Sequence, residues 1–427
     1  MALRIRDTNV EARDTRGIAL DVWAFVVPAV SFLEFVLVGR LSVSEVLAAA
    51  MLPWLLGSRD RLRVPRWFIL LWAGWFISQV LTDIVVGSAF ADYSRGLSRI
   101  LVTLTSLVAI LALVSTPRRA RLFALGLAVA GVAGYFVAPS LFTAADPWKW
   151  ALALPVGLLL AAAVSGTTGL RMPWLVVVAF LAFGALNLFL GFRSMGGVAM
   201  MTSAYLILNS VAGHRTAALR PSIGRAVLGV ISCVVIAFGV LFVYESAAAS
   251  GLLGATAQTR YYTQSEGSLG VILGGRPESL VSTQAILDSP ILGHGSWARD
   301  PKYDELLSDR RISLGYEDIP TDPADIGVIP AHSFLLGAWV EGGLLGGVFW
   351  LGIAGMAGWL LLNLYAVRWT MTPLLVFSTT LLLWNIAFSP YGEAERFAAP
   401  YAIALCLLAF RHLQPGAKHQ AQAPGAP

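Results

Sequence analysis

Five ionisable side chains stand in or beside apolar stretches where charge is scarce: Arg193, Arg260, Arg276, His332 and Glu341. A charge near a membrane costs free energy unless it is paired or used, so each marks a candidate site. Arg276 directly precedes Pro277 and Glu278, which open a helix. Leu280, Val281, Ala285 and Leu287 give that helix an apolar face, interrupted by Gln284, and Ser289-Pro290 ends it. It is expected to lie on the membrane surface with Arg276 at its positive end. A guanidinium beside free helix N–H groups presents donors to one anion, so the pair suits a phosphate. The plainer reading is an arginine reaching for lipid phosphate. His332 sits where the chain re-enters the membrane. A neutral imidazole there could accept a proton, as a general base must, or simply cap a helix. Glu341 follows about two and a half turns deeper. Its burial requires that it be protonated, paired across helices or beside a water-filled cavity.

The remaining candidates are less specific. Arg193 lies in GFRSMGG, Gly191 to Gly197, with pairing to a carboxylate such as Asp83 as the alternative. Arg260 precedes Tyr261 and Tyr262, which could stack on sugars or sit as interfacial aromatics. Glu393, Glu395 and Arg396 read as a solvated charge run, and His294 as a turn residue. Cys233 and Cys406 fall inside apolar spans as packing residues.

These side chains need a membrane scaffold. The chain is 57% hydrophobic and 13% charged, against about half and a quarter for soluble domains. A spanning helix needs about 20 apolar residues, and the long runs lack barrel alternation. The expected fold is an all-α polytopic membrane protein of about twelve transmembrane helices. Nine lie within residues 19–245 and three within 332–411, with spans at Ala19–Gly39, Ser44–Leu56, Trp67–Gly87, Ser98–Val114, Arg121–Leu141, Lys149–Gly166, Pro173–Gly191, Gly196–Val211, Arg225–Glu245, Ser333–Leu362, Thr372–Phe388 and Ala398–Phe410. Residues 1–18 form a cytoplasmic segment with no cleavable signal, 246–331 one large periplasmic loop with short helices, and 412–427 a disordered cytoplasmic tail.

Arginine placement orients this arrangement. With the N-terminus in the cytoplasm, the cytoplasmic segments hold Arg59, Arg61, Arg63 and Arg66, then Arg118, Arg119 and Arg121, then Arg215, Arg220 and Arg225. Short external connections hold far fewer. The pI near 9.4 is thus a topology signal, with contact to anionic lipids and none to nucleic acid. No carboxylate cluster suggests a metal, and no cofactor is indicated.

In topology and motif the chain resembles the O-antigen ligase and O-antigen polymerase superfamily of bacterial envelope glycan assembly. The motif likeness covers Leu190–Gly197, Gly275–Gly295 and His332–Gly347. Arg276, its helix and PILGHG, Pro290 to Gly295, match the family's Arg, helix and Pro-x-x-Gly-x-Gly. His332, Glu341 and GGLLG, Gly342 to Gly346, match its His and Glu-x-Gly-Leu-Leu-Gly-like helix. The chain departs from the pattern at Ser333, where Asn is frequent, and at Arg193-Ser194, where Ser-Arg-Gly is usual.

The resemblance implies a fold of the GT-C glycosyltransferase type in the bacterial inner membrane, with the site facing the periplasm. It implies transfer of a glycan from an undecaprenyl-diphosphate carrier to an acceptor hydroxyl on a glycan or lipid A-core, inverting and metal-independent. His332 would be the base and Arg276 the catalytic cation, with Arg193, Arg260 and Glu341 binding substrate. Polymerase and ligase differ only in acceptor, and the ligase-like reading is preferred. A twelve-helix transporter and a non-catalytic envelope scaffold are the other classes.

Overall fold

The computed structural model describes residues 15–36, 40–56, 64–166, 172–212, 239, 242–243, 245–252, 254–255, 258–259, 261–262, 276–313, 327–364, 369–392 and 395–413. Most expected spans become helices: α1 Thr15–Ala29, α2 Val43–Leu56, α3 Arg66–Val86, α4 Phe90–Leu113 and α5 Pro117–Val137. There follow α6 Leu141–Ala145, a π-turn Trp148–Leu152 leading into α7 Ala153–Val164, α8 Pro173–Phe189 and α9 Arg193–Ala212. Four described helices are long and apolar enough to cross a membrane: α3, α4, α5 and Phe334–Leu364. Several shorter ones, α8 and Thr372–Phe388 among them, are as apolar. The chain is a mainly helical membrane protein. The ninth expected span and much of the long loop lie outside the described residues.

Two boundaries move furthest. The first span stops at Ala29, just after Pro28, rather than at Gly39. Proline removes a helix N–H, and the β-branched and aromatic residues beyond pair as an antiparallel hairpin, β1 Glu34–Val36 with β2 Arg40–Ser42. The fourth span begins two turns early, because Asp92 and Arg95 belong to α4 although they break its apolar run.

The loop helix α10 runs Pro277–Asp288 as its punctuation demands. Its buried face differs from expectation: Val281, Ala285 and Ile286 are buried, whereas Leu287 is exposed. A second loop helix, α11 Pro301–Ser313, was not foreseen, although Pro301, Asp304 and Arg310-Arg311 are ordinary start and stop residues. Val281, Ala285, Ile286, Tyr303, Leu307 and Ile329 form a small core that closes on Val340 of α12, Phe334–Leu364. Helices α13 Thr372–Phe388 and α14 Glu395–Leu413 pack beside α12 and complete the described bundle.

Helix α12 is broken at Gly343, which holds φ 67° and ψ −159°. A break frees the carbonyls of Val340, Glu341 and Gly342, which must find other donors. His294 N–H reaches Val340 O at 2.7 Å, Gly295 N–H reaches Glu341 O at 3.0 Å, and Leu344 N–H turns to Ile291 O at 3.1 Å. Ser78 Oγ of α3 donates to Gly342 O at 2.6 Å. The loop therefore docks inside the break. A Cβ on Gly343 would meet Ile291 O at 2.0 Å, and one on Gly293 would meet Gly343 N at 2.6 Å.

Candidate functional site

Arg276 is the residue before the first turn of α10, and Pro277 occupies the first helical position, where no N–H is needed. Its guanidinium donates to Phe388 O and lies 5.1 Å from the Phe388 ring and 5.7 Å from that of Trp384. The positive start of α10 is thus seated on the C-terminal end of α13, where a cation is favoured. Burial lowers the Arg276 pKa, Glu278 opposes this, and Arg193 adds to it. Arg193, the first residue of α9, is therefore within electrostatic reach of Arg276. Two guanidinium groups that act on one another electrostatically suit a multiply charged anion.

His332 is held in place by its neighbours. Ser282 Oγ of α10 donates to Pro330 O, which ties the approach to His332 to the Arg276 helix. Ser333 caps α12: its Oγ accepts from Leu336 N at 3.0 Å and donates to Ile386 O at 2.7 Å. The Ser333 departure from the motif thus has a structural use. His332 is exposed as a residue and makes no hydrogen bond among the described residues. The protein packed around its imidazole still lowers its pKa by desolvation. Glu278 raises it, while Arg276 and Arg311 lower it further. Glu278 Oε1 is itself paired with Arg311 at 3.2 Å. A neutral imidazole beside two guanidinium groups can accept a proton while an anion is held nearby.

Glu341 belongs to a different group. It is ion-paired with Arg99 of α4, accepts the backbone N–H of Trp297, and has Asp83 as its other charged neighbour. The Arg99 guanidinium also lies 4.9 Å from the Trp297 ring centre. Asp83 is not paired with Arg193: it accepts from Ser296 N at 2.6 Å, Ser296 Oγ at 2.7 Å and Ser88 Oγ at 2.8 Å. His294 Nε2 meets Ala285 O at 2.8 Å, a structural role. Arg396 is no solvated charge but a buried one, paired with Glu45 at 3.3 Å. Arg260 and Glu393 lie outside the described residues.

The structure therefore places Arg276 within electrostatic reach of both His332 and Arg193, and pairs Glu341 with Arg99. Sequence reasoning missed Glu278 and Arg311 beside His332, and Arg99 as the partner of Glu341. Among the described residues no three His, Cys, Asp or Glu side chains gather as a metal would require. No protein-family model, no curated protein and no solved structure matches the chain.

Proposed function

We propose that the chain is a membrane glycosyltransferase of about twelve transmembrane helices. It moves a glycan from an undecaprenyl-diphosphate carrier to an acceptor hydroxyl at the periplasmic face of a bacterial inner membrane, in the manner of an O-antigen ligase. The observation that carries this reading is the exposed His332, which makes no hydrogen bond among the described residues and lies within electrostatic reach of Arg276, itself in reach of Arg193. His332 takes the acceptor proton as the acceptor oxygen bonds the anomeric carbon. The bond from that carbon to the diphosphate oxygen breaks, and the electron pair leaves with the diphosphate. Arg276 and Arg193, with Arg260, hold that leaving group and stabilise its growing charge. Attack opposite the leaving group inverts the anomeric centre. The arginines provide the positive charge, so transfer is expected to survive exhaustive chelation.

Polymerase action uses the same donor chemistry with a glycan as acceptor. A gel of polysaccharide from cells lacking the gene separates the two. Long chains that stay off lipid A-core indicate ligation, and accumulated short lipid-linked units indicate polymerisation. Unchanged polysaccharide would refute both. A secondary transporter would use a broken helix such as α12 to present backbone groups to its cargo. In this chain the carbonyls freed at Gly343 are bonded by His294, Gly295 and Ser78, which favours the transferase.

A further inference from the structure

We infer that the segment from Pro290 to Gly295 is re-entrant: it enters the outer part of the bilayer, and Ile291 touches lipid hydrocarbon. This inference concerns how the loop sits in the membrane and is independent of the proposed reaction.

Depth can be read from two helices. Helices α3 and α12 pack antiparallel: Ser78 bonds Gly342, Trp75 stacks on Phe349 at 4.9 Å, and Leu71 abuts Gly352. The end of α3 at Val86 and the start of α12 at Phe334 therefore share one membrane face. Gly342 is eight residues from Phe334, and Ser78 is eight from Val86. At 1.5 Å per residue, both place the break about 12 Å below the helix ends. Ile84, Val85 and Val86 are exposed and apolar, so hydrocarbon reaches the end of α3. Half the hydrocarbon core is only about 15 Å thick. The loop residues bonded inside the break must share that depth.

The hydrogen bonding of the segment independently fits hydrocarbon. Backbone groups in lipid need partners within the protein. Pro290 O accepts from Trp339 Nε1 at 2.7 Å, Ile291 O from Leu344 N at 3.1 Å, Leu292 O from Thr82 Oγ1, and Gly293 O from Ser289 Oγ at 2.9 Å. Four successive carbonyls of an irregular segment are thus bonded to protein. Ile291 is 73% exposed, and its carbonyl is bonded at Leu344, which with Leu345 is an exposed residue of α12. This apolar face continues the lipid-facing surface of a candidate span. By contrast Asp288, ion-paired with the exposed Lys302 at 2.7 Å, and α11, carrying Lys302, Asp304, Arg310 and Arg311, belong in water and mark where the segment leaves it.

The test uses full-length protein in phosphatidylcholine and phosphatidylglycerol vesicles, with Cys233→Ser and Cys406→Ala as background. Single cysteines replace Ile291, Ile84 as the lipid control, and Lys302 as the water control. A membrane-impermeant maleimide is expected to label Lys302→Cys at least roughly tenfold faster than Ile291→Cys, since hydrocarbon excludes water and charged reagent. Bimane on Ile291→Cys should be quenched by brominated acyl chains as strongly as on Ile84→Cys. Should the background fail to fold, the native-cysteine chain is used with the quenching measurement referenced to unsubstituted protein. Labelling of Ile291→Cys at the Lys302→Cys rate would overturn the inference. So would bimane at 291 that brominated chains leave unquenched.

Discussion

The Arg276–His332 region and the Gly343 break lie on the same two elements, α10 with its following turn and the start of α12, yet they are built oppositely. Around the break hydrogen bonding is dense: Asp83 accepts from two serines, and the three freed α12 carbonyls are bonded. At His332 the ring nitrogens are unbonded among the described residues and the nearby cations outnumber the carboxylate. A saturated polar group stabilises a fold and has nothing left for a ligand, whereas an unsaturated charged one costs stability and can bind. The contrast divides the motifs. Gly293, Gly295, Glu341 and Gly343 build the architecture, whereas His332, with Arg276 seated on Phe388 O, is where we propose the chemistry.

The largest expected effect breaks the architectural half. Gly343→Ala combines a positive φ with a Cβ that would lie 2.0 Å from Ile291 O. It should cost about 3 kcal/mol or more, seen as loss of monodisperse protein and a much lower Tm in detergent. Glu341→Gln leaves Arg99 partly buried without its counter-charge and should cost about 3 kcal/mol. Adding Arg99→Gln should recover much of that loss, and strict additivity in this cycle would show the pair to be uncoupled.

The other half should behave in reverse. His332→Ala and Arg276→Ala are expected to abolish transfer. His332→Ala should change stability by no more than about 1 kcal/mol, because the residue is exposed and makes no hydrogen bond among the described residues. A large loss of Tm in His332→Ala would move that residue into the architectural class.

The smallest effect is a shift in pH. Desolvation by the protein packed around this exposed residue holds the His332 pKa below its ordinary 6.5, with Arg276 and Arg311 adding to this and Glu278 opposing it. If neutral His332 is the base, transfer rises with pH through a midpoint below 6.5 and then levels off. Glu278→Gln removes the opposing negative charge, so the midpoint should move further down. The folded state binds the His332 proton less readily than the unfolded chain. Its contribution to stability is therefore intact above 6.5 and declines as pH falls toward the folded midpoint. Selective histidine NMR on wild type and Glu278→Gln follows the same shift without any substrate. An unmoved midpoint would show that Glu278 does not act on His332.

What is legible in the sequence follows from how local its cause is. The bounds of α13 and the end of α10 at Ser289-Pro290 are set by neighbouring residues, proline above all, and can be read directly. That Glu341 needs a partner is equally plain from its apolar surroundings. The partner itself is not: Arg99 lies 242 residues away, and a pairing across that separation leaves no local trace. The break at Gly343 is hidden for a similar reason. Gly342-Gly343 permits a break without demanding one, and the loop residues that seal it lie about 50 positions earlier. Arg193 shows the limit of composition: its nearness to Arg276 depends on how α9, α10 and α13 pack.

The most direct test mixes purified, reconstituted protein with an undecaprenyl-diphosphate-linked glycan and separate glycan and lipid A-core acceptors, without added metal. Wild-type protein should release undecaprenyl diphosphate and form a glycoside of inverted configuration on one acceptor, and His332→Ala of equal fold and yield should form none. Transfer by His332→Ala at the wild-type rate, or no transfer by wild type to either acceptor, would contradict the account.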